Sequence, residues 1–240
     1  MALTLPGDIW IAIPCYQGAR TVGDVVRGAR LSGLPVVVVD DGSTDGSGAE
    51  AERAGATVLR HHANRGKGAA IATAFAFARN QGATAVVTMD ADGQHDPAEI
   101  AKLVAAHRRQ PGSLVIGVRS FAPEDMPRRS RIGNRISTWW ISRFARRPHR
   151  DTQSGFRVYP KALFGDVALK TTRFETETEL LLVAAKRGIE LVEVEIATIY
   201  GPDRVTHFHG FKDTMRVLRL VITSPIWGAA EARRARADGR

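Results

Sequence analysis

Apolar and polar positions change rhythm several times along this chain, and each rhythm predicts an element. "DIWIAIP" (8–14) is a short apolar run that reads as a strand. Over residues 19–32, Val22, Val25, Val26 and Ala29 recur on one side at helical spacing. "LPVVVVDDGS" (34–43) is a continuous β-branched run, the mark of a strand covered on both faces, and it closes in two aspartates and a turn. "TVLRHH" (57–62) predicts a third strand, "NRGKG" (64–68) a glycine loop, and Ala69 to Arg79 an apolar helix. "TAVVTMD" (84–90) predicts a fourth strand. Pro97 suits a first helical position with Asp96 as its N-cap, and Ile100, Leu103, Val104 and His107 carry that helix. "SLVIGVR" (113–119) predicts a fifth strand.

This alternation predicts an α/β fold: a mostly parallel central sheet with helices on both faces. Ligands of such sheets bind at the carboxyl ends of strands. Three strands here end in polar clusters: Tyr16-Gln17, Asp40-Asp41 and Asp90-Asp92.

Composition narrows the class. At 240 residues, 44% hydrophobic and 25% charged, the chain has the balance of a globular α/β domain. Cys15 is the only cysteine, so no internal disulfide is possible and a reducing compartment fits. Residues 1–20 lack a basic segment followed by an apolar core, and no stretch of about 18 apolar residues occurs, so neither a signal peptide nor a membrane span is expected. The net charge of +9 is uneven. Residues 127–150 hold eight arginines and no acid, and removing those eight leaves 26 basic residues against 25 acidic. That patch is built to face an anionic partner. It also carries Ile132, Ile136, Trp139, Trp140 and Phe144 at helical spacing, and Phe211, Met215, Leu218 and Ile222 repeat the pattern beside Lys212, Arg216 and Arg219. Basic residues next to indoles describe a helix lying in a membrane interface.

The candidate chemistry begins at "MDADGQHDP" (89–97). Side chains two apart on a strand point the same way, so Asp90 and Asp92 are expected to converge. Two converging carboxylates suit Mg²⁺ or Mn²⁺, which takes its other ligands from substrate phosphates and water.

Seven stretches recur in a known order: "IAIPCYQGA", "VVVVDDGSTDGS", "NRGKGAAIATAF", "MDADGQHDPAEIAKL", "IGVR", "DTQSGFRVY", and "FETETELLLVAAKRG" followed by "VEVEIATIY". Together they resemble the family 2 glycosyltransferases of GT-A fold, and within them the dolichyl- and polyprenyl-phosphate mannosyl- or glucosyltransferases. The resemblance covers about residues 8–225. It implies a single catalytic domain over 1–228, with a nucleotide-sugar half (8–119), an acceptor half (120–228) and a charged tail (229–240). It implies an inverting transfer of a hexose from a GDP- or UDP-linked donor to a lipid-linked acceptor, either a polyprenyl phosphate or a hydroxyl of a lipid or polyketide-like molecule.

Roles follow position by position. Pro14 and Tyr16 match the loop that packs on the nucleoside, and Asp40 and Asp41 the pair that recognises base and ribose. Lys67 matches the lysine loop near the nucleotide. It is not a Walker loop, because no Ser or Thr follows the lysine. Asp90, Ala91 and Asp92 match the metal-binding D-x-D, and Gln94 the residue lining the sugar-phosphate pocket. Arg119, with Arg131 or Arg135, matches the arginines that hold an acceptor phosphate. Asp151 matches the position of a general base for a hydroxyl acceptor; an anionic phosphate needs no strong base, and there Asp151 orients the acceptor or an arginine. Ser154 and Arg157 read as structural, and Glu175, Glu177 and Glu179 as first-turn helix acids or sugar contacts. Arg204, His207 and His209 match a loop that reaches the diphosphate. The implied setting is the cytoplasmic face of an anionic membrane, held peripherally, with no nucleic acid as partner. A reading from another class, a non-enzymatic basic module for membranes or nucleic acid, explains the arginines but not the acid clusters at the strand ends.

Overall fold

The computed structural model describes residues 8–119, 154–165, 169–173 and 175–197. Seven strands, β1 (Ile9–Cys15), β2 (Val36–Asp40), β3 (Thr57–Arg60), β4 (Ala85–Thr88), β5 (Leu114–Arg119), β6 (Arg157–Pro160) and β7 (Leu191–Ile196), form one sheet in the order β3-β2-β1-β4-β6-β5-β7. Pairing is parallel from β3 through β4 and between β5 and β7; β6 runs antiparallel to both β4 and β5. The sheet is therefore mixed and mostly parallel, as the alternation predicts.

Side-chain alternation sorts the core into two layers. Ile9, Ile11, Ile13 and Cys15 of β1, with Val36 and Val38 of β2, face one side. There they meet helices α1 (Val22–Arg30), α2 (Ser47–Arg53) and α4 (Ile100–Arg109) through Val22, Val26, Ala51, Ile100 and Leu103. Ala12, Val37 and Val39 face the other side, against α3 (Lys67–Asn80), α5 (Lys161–Phe164) and α6 (Glu175–Lys186). All five residues of β2 are buried, which is why its apolar run is continuous rather than alternating.

Three expectations change in detail. Helix α2 was not legible: it begins after Gly46 in a left-handed conformation, and Ala51 is its one buried apolar side chain larger than glycine, so no periodic stripe marks it. Helix α3 starts at Lys67 rather than Ala69, because the Ala70 N–H already donates to the Gly66 carbonyl at 3.1 Å. Strand β4 stops at Thr88 rather than running to Asp90, so strand alternation is not what brings Asp90 and Asp92 together. They sit on the turn beyond it, closed by Gly93 at φ 75°. The N-terminal half of the α4 reading holds: the Asp96 carboxylate accepts the Ala98 N–H at 2.9 Å, and a 3₁₀ turn over Pro97–Glu99 leads into the helix.

Candidate active site

After β1 the chain moves outward through β2 to β3, then returns to place β4 on the other side of β1. The loops that leave β1 and β4 therefore part, opening the crevice where doubly wound sheets hold ligands. The Thr21 hydroxyl ties the two loops by donating to the Ala91 carbonyl at 2.6 Å. On the β2 side, Gln17 donates its backbone N–H to Ser43 Oγ and its amide to Thr44 Oγ1, both at 3.0 Å. Gln17 is held at φ 51°, an uncommon backbone state for a residue with a side chain. The neighbouring Tyr16 is 37% exposed, an uncommon position for a large aromatic. Pro14 lies half-buried beneath this rim.

Across the crevice stands a cluster of acids around one lysine. Lys67 Nζ lies 2.7 Å from Asp90 Oδ1 and 3.0 Å from Glu177 Oε1. Burial alone would lower the Lys67 pKa, but the two carboxylates outweigh it and hold the ammonium above the ordinary lysine range. The Asp90 N–H donates to His95 Nδ1 at 3.3 Å, and the His95 ring rests on Phe156 with centroids 5.0 Å apart. His95 is thus a buried prop for the acidic loop. Asp92 reaches the crevice and accepts the Gln94 N–H at 3.0 Å. Its surface is open to solvent, yet the walls of the recess strip much of its hydration, and together with the Asp90 charge they raise its pKa above the usual carboxylate value.

The Asp40-Asp41 pair, at the end of β2, is buried. Asp40 accepts the Ser43 N–H at 2.9 Å. Asp41 accepts the N–H groups of Arg65 and Gly66 at 3.0 and 2.7 Å and lies 2.5 Å from His61 Nδ1. Helix α6 braces the lysine loop from the opposite direction. Glu179 accepts the N–H groups of Lys170 and Thr171 at 2.8 and 2.9 Å, and the Ala69 N–H donates to the Thr172 carbonyl at 3.0 Å. A Cβ on Gly66 would lie 2.5 Å from that carbonyl, and one on Gly68 would lie 1.8 Å from Thr176 Oγ1. Only glycine lets these segments touch. Arg157 is fully buried and donates to the Ser154 carbonyl at 2.7 Å and the Glu177 carbonyl at 2.8 Å, so its role is to hold the first turn of α6.

Glu177 is the functional candidate that reading for helix acids undervalued. Its signal was the alternation Glu175-Glu177-Glu179, but which of the three turns to the lysine is decided by packing. The arrangement also fits a dication. Asp90 and Glu177 bring two carboxylates to one ammonium, with the Asp92 charge close enough to Asp90 to be felt, and a Cβ on Gly155 would lie 2.8 Å from Asp90 Oδ2 and 3.0 Å from Glu177 Oε1. Among the described residues no group of three or more acids, histidines or cysteines is placed to hold a metal ion by itself. Arg119 closes β5, paired with Ile196. Arg131, Arg135, Asp151, Arg204, His207 and His209, the Trp139-Trp140 and 211–222 stripes and the 229–240 tail lie outside the described residues.

Comparison with known proteins identifies the framework. The model of Glycosyl transferase family 2 matches residues 10–171. Glycosyltransferase AglJ of Haloferax volcanii is 33% identical over 201 residues, 82% of this chain and 65% of that protein. A UDP-N-acetylglucosamine–dolichyl-phosphate N-acetylglucosaminyltransferase of Methanococcus voltae is 29% identical over 88% of this chain and 95% of its own length. Glucosyl-3-phosphoglycerate synthase of Mycobacterium tuberculosis, solved with Mn²⁺, uridine diphosphate and phosphoglyceric acid, shares the fold with a TM-score of 0.70 at 18% identity, covering 91% of this chain and 77% of that one.

Proposed function

The chain belongs to glycosyl transferase family 2, and from that premise we propose that it transfers a sugar from a UDP-linked donor to a polyprenyl phosphate, with inversion at the anomeric carbon. The observation that carries the reading is the Asp90–Lys67–Glu177 cluster with Asp92 beside it, at the crevice between β1 and β4. Support for the acceptor and the donor base comes from the Methanococcus relative, whose name states both a UDP sugar and a dolichyl phosphate.

In this reading the uracil ring packs on Tyr16 above Pro14, and the diphosphate lies toward Asp92. Asp92 and Asp90 would hold Mg²⁺ or Mn²⁺ together with oxygens of the donor diphosphate. When bound, the ion supplies positive charge to the departing diphosphate. Lys67 adds a fixed ammonium to the same side and keeps Asp90 and Glu177 from repelling the donor. A phosphate oxygen of the acceptor attacks the anomeric carbon. The bond to the diphosphate oxygen breaks and its electron pair leaves with the nucleoside diphosphate. The acceptor phosphate is already anionic, so no proton has to be removed. Arg119 and Arg131 or Arg135 are assigned to hold it, and Arg204, His207 and His209 to cover the diphosphate.

The test is transfer of radiolabelled sugar from UDP-glucose, UDP-N-acetylglucosamine or GDP-mannose to dolichyl phosphate with Mn²⁺, read as label extracted into organic solvent. Asp151→Asn should keep substantial turnover with the phosphate acceptor. A loss on the order of 10²–10⁴ in a folded Asp151→Asn protein would instead point to a hydroxyl acceptor, as would label transfer to dolichol but not to dolichyl phosphate.

A further inference from the structure

Resting on the assignment of Lys67 to the donor diphosphate, we propose that Glu179 is a positioning residue: through residues 170–172 it supplies the cap that the start of α3 cannot make for itself, and so sets Lys67 in place. The need for a cap follows from the sequence. Helix α3 begins at Lys67, and its N-cap is Gly66, which has no side chain to accept the free N–H groups of the first turn. The Ala69 N–H is one of these. It donates instead to the carbonyl of the distant Thr172 at 3.0 Å.

Glu179 holds that carbonyl where it is needed. Its carboxylate is 2% exposed and receives three donors: the Lys170 N–H at 2.8 Å, the Thr171 N–H at 2.9 Å and the Thr171 hydroxyl at 2.7 Å. A hydroxyl has one hydrogen, and that of Thr171 goes to the carboxylate. The 2.8 Å contact between Thr171 Oγ1 and Thr176 Oγ1 is therefore a donation from Thr176. Residues 170–172 are thus fastened to α6 by both oxygens of Glu179 and by a threonine pair. Gly66 and Gly68, on either side of Lys67, both press on residues 172–176 with no room for a Cβ. Lys67 leaves a backbone whose position is dictated by α6, the same helix that presents Glu177 to its ammonium. A shift of residues 170–172 moves the lysine against Asp90 and Glu177, and an ångström of misplacement there is costly to catalysis.

Glu179→Gln keeps the size of the side chain and replaces one acceptor oxygen with an amide nitrogen that cannot accept. The first readout is backbone hydrogen exchange, followed by mass spectrometry on the metal-free protein. It needs no donor or acceptor, so it stands whether or not the polyprenyl-phosphate reading survives. Exchange at residues 68–70 should speed up by about tenfold, the equivalent of one charge-assisted hydrogen bond, while β2 stays unchanged. The second readout is the affinity for UDP with Mn²⁺. It should fall by about tenfold in Glu179→Gln, and the fall should vanish when Lys67→Met is already present, because a residue that acts through the lysine then has nothing to act on. A purely structural Glu179 would weaken binding equally in both backgrounds. Thr171→Val, which removes only the hydroxyl shared by Glu179 and Thr176, should move both readouts in the same direction by less, and it decides the question if Glu179→Gln fails to fold. Unchanged exchange at residues 68–70 in the folded variants, or a loss of UDP affinity that persists beside Lys67→Met, overturns the proposal. A wild-type protein that takes GDP in place of UDP corrects the donor base and not the role of Glu179, and the same cycle is then read with GDP.

Discussion

Asp92 illustrates a conflict between function and stability within one side chain. Although the side chain is exposed, the walls of the recess strip hydration from it, and together with the neighbouring Asp90 charge they raise its pKa. Ionisation is therefore less favourable in the folded chain than in the unfolded one, so the charged form subtracts from stability at neutral pH. The penalty fades as pH falls from the folded value toward the ordinary one. A dication removes the same penalty from the other direction. Asp92→Asn is thus expected to raise the melting temperature of the metal-free protein at pH 7 and to abolish the further rise produced by Mn²⁺ with UDP. Scanning fluorimetry with and without the ion measures both. A variant less stable than the wild type without metal would show that Asp92 is structural. Lys67 follows the opposite sign: its pKa is raised by partners that outweigh burial, so its contribution is present throughout neutral pH and is lost only as pH rises past the ordinary lysine value.

Helix α4 shows how an element carries a titratable group that its amphipathic pattern treats as apolar. His107 lies on the buried stripe with Ile100, Leu103 and Val104, and its Nδ1 has no hydrogen-bond partner. Burial lowers its pKa, Arg108 adds to the effect, and a backbone interaction at Ser113 opposes it in part. A histidine harder to protonate in the folded state contributes stability above the ordinary histidine value of about 6.5, and that contribution is lost as pH falls below it. The denaturation midpoint should therefore drop between pH 7 and pH 5, and His107→Leu should flatten that part of the profile. Chemical denaturation across that range checks it; an unchanged slope in the variant assigns the acid sensitivity to other groups. The same helix ends in His107, Arg108 and Arg109, where positive charge is favourable to the helix dipole.

For the whole molecule, the charge distribution sets how it meets a surface. Among the described residues no helix is long and apolar enough to cross a membrane. The eight arginines of residues 127–150 carry nearly all the net positive charge, and Trp139 and Trp140 stand among them. Each basic residue near an anionic leaflet is worth roughly 1 kcal/mol, decaying within a Debye length. The protein is expected to co-sediment with phosphatidylserine-containing vesicles at low salt and to be partly released at high salt. Replacing Arg143, Arg146 and Arg147 by serine should weaken vesicle binding and leave UDP affinity in place. A wild-type protein that stays in the supernatant at low salt would transfer the arginines to a soluble anionic acceptor.

The local patterns determined a good deal by themselves. β2 was readable because a buried parallel strand needs an unbroken β-branched run, and α1 because Val22, Val25, Val26 and Ala29 share one face. The acid clusters at strand ends were visible because sheet geometry puts loops where ligands bind, and the motif order identified the family. What stayed hidden depends on segments distant in the chain. That β6 enters antiparallel between β4 and β5 follows from packing, since a four-residue strand carries no mark of its direction. That Asp41 turns inward to residues 65 and 66 while Glu177 turns to Lys67 is likewise a matter of partners 24 to 110 positions away. Sequence spacing states which carboxylates exist; only the folded chain decides which of them are already satisfied, because a buried carboxylate is oriented by whichever donors the tertiary structure delivers to it.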